Sequence, residues 1–231
     1  MADFTLYIGE KNYSSWSLRG WLPLAHSGAD FIEVPLALDT PSFYTAFDGI
    51  SSVKKVPLLV HHLDSGDVVV WDSLAIADYI ARHYPDAGLW PRDVRAFACA
   101  KSITAEMHSG FTALRAACPM NIRGIFEPKK FGPETLSNFQ RFDELVQDAR
   151  ARFGVSGDFM FGAEPTIADF FYAPIASRCE TYHAPISDVT RAWVDAIFAH
   201  PLMVKWCENA AAETSVVVAD EIDLTAKVLG Q

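Results

Sequence analysis

Within the first 36 residues an apolar run, an amphipathic stretch and a second apolar run follow one another, and that order limits the fold more than any other feature. Phe4–Ile8 is strand-like, and Phe31–Leu36 is strand-like again. Between them, Ser15–Ser27 carries Leu18, Trp21, Leu22 and Ala25 at i, i+3, i+4 and i+7, one face of a helix. Strand, helix, strand predicts two parallel strands joined by a right-handed crossover. Pro23 falls inside the helix, where it removes one bond and crowds the carbonyl of Arg19, so a kink or local irregularity is expected there. Just ahead lies Asn12-Tyr13-Ser14-Ser15-Trp16-Ser17-Leu18-Arg19. Its hydroxyls gather where the first N–H groups of a helix lack partners and the dipole favours negative charge. Such a stretch can hold a thiolate or carboxylate, or it can simply supply an N-cap and turn residues.

The next elements extend a mixed sheet. Thr40-Pro41 reads as an N-cap followed by proline at the first helical position, opening a short helix to about Phe47. Leu58-Leu59-Val60 and Val68-Val69-Val70-Trp71 flank Asp64-Ser65-Gly66-Asp67, the pattern of an antiparallel hairpin. Asp72-Ser73 opens a helix with Ile76, Tyr79, Ile80 and His83 on one face, and Pro85 closes it. Residues 1–86 therefore form one α/β unit of order βαβ-α-ββα, and 87–93 are a linker. Residues 94–231 read as an all-helical unit. A long helix is expected over Val94–Ala117, another after Phe131-Gly132-Pro133, and two more at about Ser187–Ala199 and Leu202–Ala212. Thr166-Ile167-Ala168-Asp169 carries the capping-box signature before an apolar helix.

Composition narrows the function. Half of the 231 residues are hydrophobic, with 16 Phe, 7 Tyr and 6 Trp, enough for a packed core. The net charge is −10, and residues 1–86 hold 5 basic against 11 acidic side chains, so neither half is basic and a nucleic-acid partner is not expected. No apolar run approaches a membrane span and no leader pattern opens the chain, which predicts a cytoplasmic protein. Cys99, Cys118, Cys179 and Cys207 lie far apart, and neither they nor the seven histidines show metal spacing, so no metal is expected.

The element order and four motifs resemble the cytosolic glutathione transferases, with a thioredoxin-like N-terminal domain and a helical C-terminal one. Ser14-Ser15-Trp16-Ser17-Leu18-Arg19 is similar to the Ser-Ser-Cys-Ser-Trp-Arg signature of the zeta, maleylacetoacetate isomerase-like class, departing from it at Trp16. Lys55-Val56-Pro57 resembles the cis-proline loop, Asp72-Ser73-Leu74-Ala75-Ile76 the segment gripping the γ-glutamyl end of glutathione, and Thr166–Asp169 the capping box of the core helix. The related bacterial-type serine transferases fit as well.

The resemblance implies glutathione as co-substrate and assigns roles. Ser14, or else Ser15, would donate a hydroxyl hydrogen bond to the glutathione sulfur, with the second serine as cap. Val56 would pair with the cysteinyl backbone beside a cis Pro57, and Lys55 would answer the glycyl carboxylate. Ser73 and Asp72 would take the γ-glutamyl carboxylate and ammonium. A small electrophile would sit against Tyr13, Trp16, His108, Phe111 and Arg115, the last three spaced to share one helical face. The expected activity is thiolate attack on that electrophile, with glutathione-dependent isomerisation or peroxide reduction as alternatives. A non-catalytic module that holds glutathione or a protein partner is the rival of another class. The family implies a homodimer.

Overall fold

The computed structural model describes residues 2–154, 157–222 and 228–229. Alternation along the first strand, β1 (Phe4–Ile8), explains why it sits mid-sheet: Phe4, Leu6 and Ile8 are buried on one face, with Thr5 and Tyr7 half-buried on the other. β2 (Phe31–Pro35) pairs parallel with β1, as the strand–helix–strand order requires. β3 (Leu58–His61) runs antiparallel on the other side of β1, and β4 (Val68–Val70) completes the order β2-β1-β3-β4.

The connecting helix α1 (Ser15–His26) continues through Pro23 to His26. Leu18, Trp21, Leu22 and Leu24 are buried along it, and that packing outweighs one missing hydrogen bond. α1 and α3 (Ser73–His83) pack together. The short α2 (Pro41–Thr45), capped by Thr40, belongs to a separate cluster of Phe43, Phe47, Leu58 and Val60. Adjacent residues of β3 therefore serve two cores, since Leu59 joins the main one.

After a 3₁₀ turn at Pro85–Ala87 the chain enters α4 (Val94–Ser109) and α5 (Thr112–Ala117). The single long helix expected over Val94–Ala117 is thus two. Gly110 is extended and Phe111 left-handed at φ +57, which swings the Phe111 ring into the core. A Cβ at position 110 would lie 2.7 Å from the Glu106 carbonyl oxygen, so only glycine passes there. α6 (Pro133–Phe153), α7 (Ile167–Tyr182), α8 (Asp188–Ala199) and α9 (Pro201–Ala212) follow. The helical region is not purely helical: β5 (Lys130–Phe131) pairs parallel with β6 (Val228–Leu229), a two-residue ladder too short to show in the sequence. The end of the predicted helical unit, at 231, lies outside the described residues.

α7 is buried on every face, Glu180 excepted, and α1, α4 and α8 pack against it. One continuous core runs from Phe4 through Trp21 and Phe171 to Trp206, so sheet and helical bundle share their apolar interior.

At the seam between them His26 and His200 face each other at 6.0 Å. Burial holds both imidazoles below their usual basicity, only partly offset by Glu164. His200 Nδ1 also accepts the Leu202 N–H at the start of α9, a bond that protonation of that nitrogen abolishes. A lowered folded pKa means the unfolded chain takes up protons first, so the stabilisation is complete above about pH 6.5 and is lost as the pH falls below it. The melting temperature is expected to drop on acidification through that range, and less so in His200→Gln; an equal drop in both would contradict the assignment.

Candidate active site

Two hollows meet at Trp16 and Val56, both of which line each of them. The first is a cleft of ≈ 790 Å³ on the sheet domain, walled by Ser52–Pro57 and Trp71–Ser73. The second is a chamber of ≈ 440 Å³ between the sheet and the helices, walled by Tyr13, Ser14, Ser15, Arg115, Arg178 and Asp220, among others.

The cleft follows from its two framing turns. The Val56–Pro57 bond is cis, and α1 packs so closely on Pro57 that a Cβ at Gly20 would lie 2.8 Å from Pro57 Cγ. Asp72 caps α3 by accepting the Leu74 N–H at 2.8 Å, while its other oxygen is 3.3 Å from His108 Nε2. Ser73, one residue on, is only 1% exposed and its hydroxyl has no partner among the described residues. A buried hydroxyl left unpaired is costly, so an orphan on a cleft wall marks a place where a ligand completes the bonding. Among the two lysines of the loop, Lys54 pairs with Asp48 at 2.9 Å, whereas Lys55 has no ion pair among the described residues. Lys55 is therefore the one available to an incoming carboxylate.

At the chamber floor the serines divide their work differently from expectation. The helix cap is Ser14, not Ser15: Ser14 Oγ accepts the Ser17 N–H at 3.3 Å. It also lies 2.7 Å from Ser17 Oγ, which in turn accepts the Gly9 N–H at 3.0 Å. Ser17 is fully buried, and Ser14 Oγ is the one acceptor its proton meets among the described residues. Ser17 therefore donates to Ser14, and the Ser14 proton is left for whatever enters the chamber.

Trp16 forms the partition. Two guanidiniums lie over its ring, Arg19 Cζ at 4.8 Å and Arg115 Cζ at 4.5 Å from the centroid, and the His108 ring stands nearly perpendicular to it at 5.4 Å. Tyr13 is held by its hydroxyl, which donates to Glu221 at 2.6 Å and accepts from Arg123 at 3.1 Å. Burial, then the Glu221 carboxylate, raises its pKa.

Of the residues predicted around the electrophile, Tyr13, Trp16 and Arg115 line the chamber. His108 does not; it serves the cleft side through Asp72. Phe111 lines neither hollow and packs edge-on against Tyr172, because the break at Gly110 takes it off the shared face. Sequence reasoning missed Arg178 and Asp220 in the chamber and Trp71 in the cleft. Arg178 carried a usable signal, being the one basic residue of a helix that is mostly apolar and otherwise charged only at Asp169 and Glu180. It is 3% exposed, donates to the carbonyls of Cys118 and Pro174, and burial pulls its pKa down to about 10.

The sequence profile of the glutathione S-transferase N-terminal domain matches residues 13–83, and that of the C-terminal domain residues 103–209. A maleylacetoacetate isomerase of Rattus norvegicus is 25% identical over 186 residues, covering 79% of this chain and 81% of the relative. Glutathione S-transferase theta-1 of Bos taurus is 26% identical over 59% of each chain. Among solved structures, a glutathione transferase homolog from Burkholderia with bound glutathione superposes with a TM-score of 0.66 at 21% identity, covering 91% of this chain and 99% of that one. The maleylacetoacetate isomerase of Anaeromyxobacter dehalogenans, with bound glutathione, gives 0.62 at 19% identity over 88% and 94%. With both of its domain profiles matched in order along most of the chain, the protein belongs to the glutathione S-transferase family.

Proposed function

We propose that the cleft binds glutathione and that the chamber holds a small, negatively charged electrophile for attack by the glutathione thiolate. The observation that carries this is the Ser73 hydroxyl at the start of α3, orphaned among the described residues, in the same cleft as the cis Val56–Pro57 turn and Lys55, which makes no ion pair among those residues. Ser73 takes the γ-glutamyl carboxylate with help from the helix N-terminus, and Asp72 the ammonium. The Val56 main chain flanks the cysteinyl residue and Lys55 answers the glycyl carboxylate. That orientation delivers the sulfur past Trp16 to the free Ser14 proton. Arg115 and Arg178 on the far wall favour a carboxylate-bearing electrophile over a neutral one.

Addition followed by departure of glutathione makes an isomerase of the same parts, and the isomerases among the relatives support testing that activity beside conjugation. Residues 1–86 would then be the glutathione unit, 87–93 the linker and 94–231 the electrophile unit. A reducing cytoplasm, where glutathione is a thiol, is the setting for this chemistry. Two copies pairing over the exposed Trp71, Val94 and Phe97 complete the reading, and a mass near twice that of the chain in light scattering would support it.

Isothermal titration with glutathione tests the binding half. Wild type is expected to bind, and Ser73→Ala to bind about tenfold more weakly, the ~1.5–3 kcal/mol of a charged hydrogen bond less what water recovers. No heat at millimolar glutathione would leave a non-catalytic module as the better reading. Glutathione binding without turnover of any electrophile or peroxide would do the same for catalysis.

A further inference from the structure

Arg19 is fully buried, and among the described residues no carboxylate pairs with it. Its Nε donates to the Phe171 carbonyl at 2.9 Å and its Nη1 to the Ser15 carbonyl at 3.2 Å, but Nη2 is buried without a partner among the described residues. The groups around it make matters worse. Arg178 from α7 and Arg115 from α5 both repel it, and Trp16 screens one face. Tyr172 also acts on it from α7 and is held neutral by its own burial. His108 from α4 faces Trp16, with its one acid, Asp72, on the cleft side. Asp220, in the chamber, acts on Arg178 rather than on Arg19. A buried cation without an anion is among the costliest arrangements a protein holds. An interdomain clasp to the Phe171 carbonyl needs a donor there but no charge.

We propose that Arg19 is a positioning residue whose fixed charge, set behind the Ser15 carbonyl, holds the sulfur of bound glutathione as its thiolate. The inference rests on the glutathione reading above and supplies the anion that Arg19 lacks. Its guanidinium touches neither serine hydroxyl nor sulfur. It acts through the first peptide of α1, adding a full positive charge to the half-charge of the helix terminus on the side away from solvent. The thiol proton leaves to solvent and the electron pair stays on sulfur, so nothing is oxidised or transferred. Trp16, where the zeta signature has cysteine, keeps water from the guanidinium and so keeps its field strong. Ser14 then orients the anion while Arg19 stabilises it.

The test is the titration of bound glutathione, followed by the ultraviolet absorbance of its thiolate, in wild type, Arg19→Met, Arg19→Gln and Arg19→Lys. Loss of a near cation is expected to raise the thiol pKa by about 1–2 units in the two neutral variants. Their turnover would fall about 10–100-fold at neutral pH and recover at alkaline pH. Arg19→Lys is expected to keep most of the wild-type shift. A purely structural Arg19 would lower stability in all three and leave the thiol titration in place. That result in either folded neutral variant overturns the proposal. If neither folds, wild type decides: glutathione binding near neutral pH must release a proton that S-methylglutathione binding does not, and equal release overturns it. Absence of glutathione binding to wild type would instead remove the underlying reading.

Discussion

Asp169→Ala is expected to destabilise the protein by about 3–5 kcal/mol, the range for stranding the partners of a buried, hydrogen-bonded charge. The carboxylate is fully buried and accepts four bonds. Oδ1 takes the Met160 N–H at 2.9 Å and the Trp193 indole N–H at 2.9 Å, and Oδ2 takes the Thr166 N–H at 2.8 Å and its hydroxyl at 2.9 Å. Burial raises its pKa despite all four donors, a measure of how dry the site is. Alanine leaves those donors unpaired between α7, α8 and the loop before α7, each at about 1–3 kcal/mol before relaxation. Total stabilities run at about 5–15 kcal/mol, so the loss takes a large share. Asp169→Asn keeps the shape but turns an NH₂ toward donors, and is expected to fall between. Urea unfolding of the three proteins checks the order. α7 also carries Arg178 and the Phe171 carbonyl, so the activity of Asp169→Ala should fail together with its fold.

Ser14→Ala is expected to lower kcat/KM for glutathione conjugation by about 10²–10³, the cost of removing one donor from a developing or resident anion. Its affinity for glutathione should change far less, because the γ-glutamyl and cysteinyl contacts lie elsewhere in the cleft. Ser14 also caps α1, so about 1 kcal/mol of stability goes with it. Ser15→Ala separates the two effects: Ser15 lines the chamber but is not the cap. Steady-state kinetics with thermal melts on both variants give the comparison. A larger loss in Ser15→Ala would transfer the donor role to Ser15.

Much of this was legible because local chemistry and tertiary role coincide. The four sheet strands, the caps at Thr40 and Asp72 and the Thr166–Asp169 box all follow from short-range patterns, which burial reinforces at β1, β3 and Asp169. Legibility failed where a single residue overrides a period. His108, Phe111 and Arg115 keep helical spacing through Gly110, but the close approach to the Glu106 carbonyl breaks the helix and separates them. It failed again where distant segments meet. Glu213 accepts the Lys11 and Asn12 N–H groups and Glu221 accepts from Tyr13 and Asn121, so the segment after α9 returns to the start of α1 across some two hundred residues. Asp220 reaches the chamber by that return, and no spacing rule announces it. Which of Ser14 and Ser15 caps the helix depended on one turn of backbone, Ser15 N–H to Tyr13 carbonyl at 2.9 Å, that a run of serines leaves open.

The most direct measurement is the crystal structure of the wild-type protein with glutathione. The γ-glutamyl carboxylate is expected on Ser73, the cysteinyl backbone along Val56, and the sulfur within hydrogen-bond reach of Ser14 Oγ beside Trp16. Glutathione lying the other way round in the cleft, or with its sulfur turned from Ser14 toward Lys55, would contradict that placement.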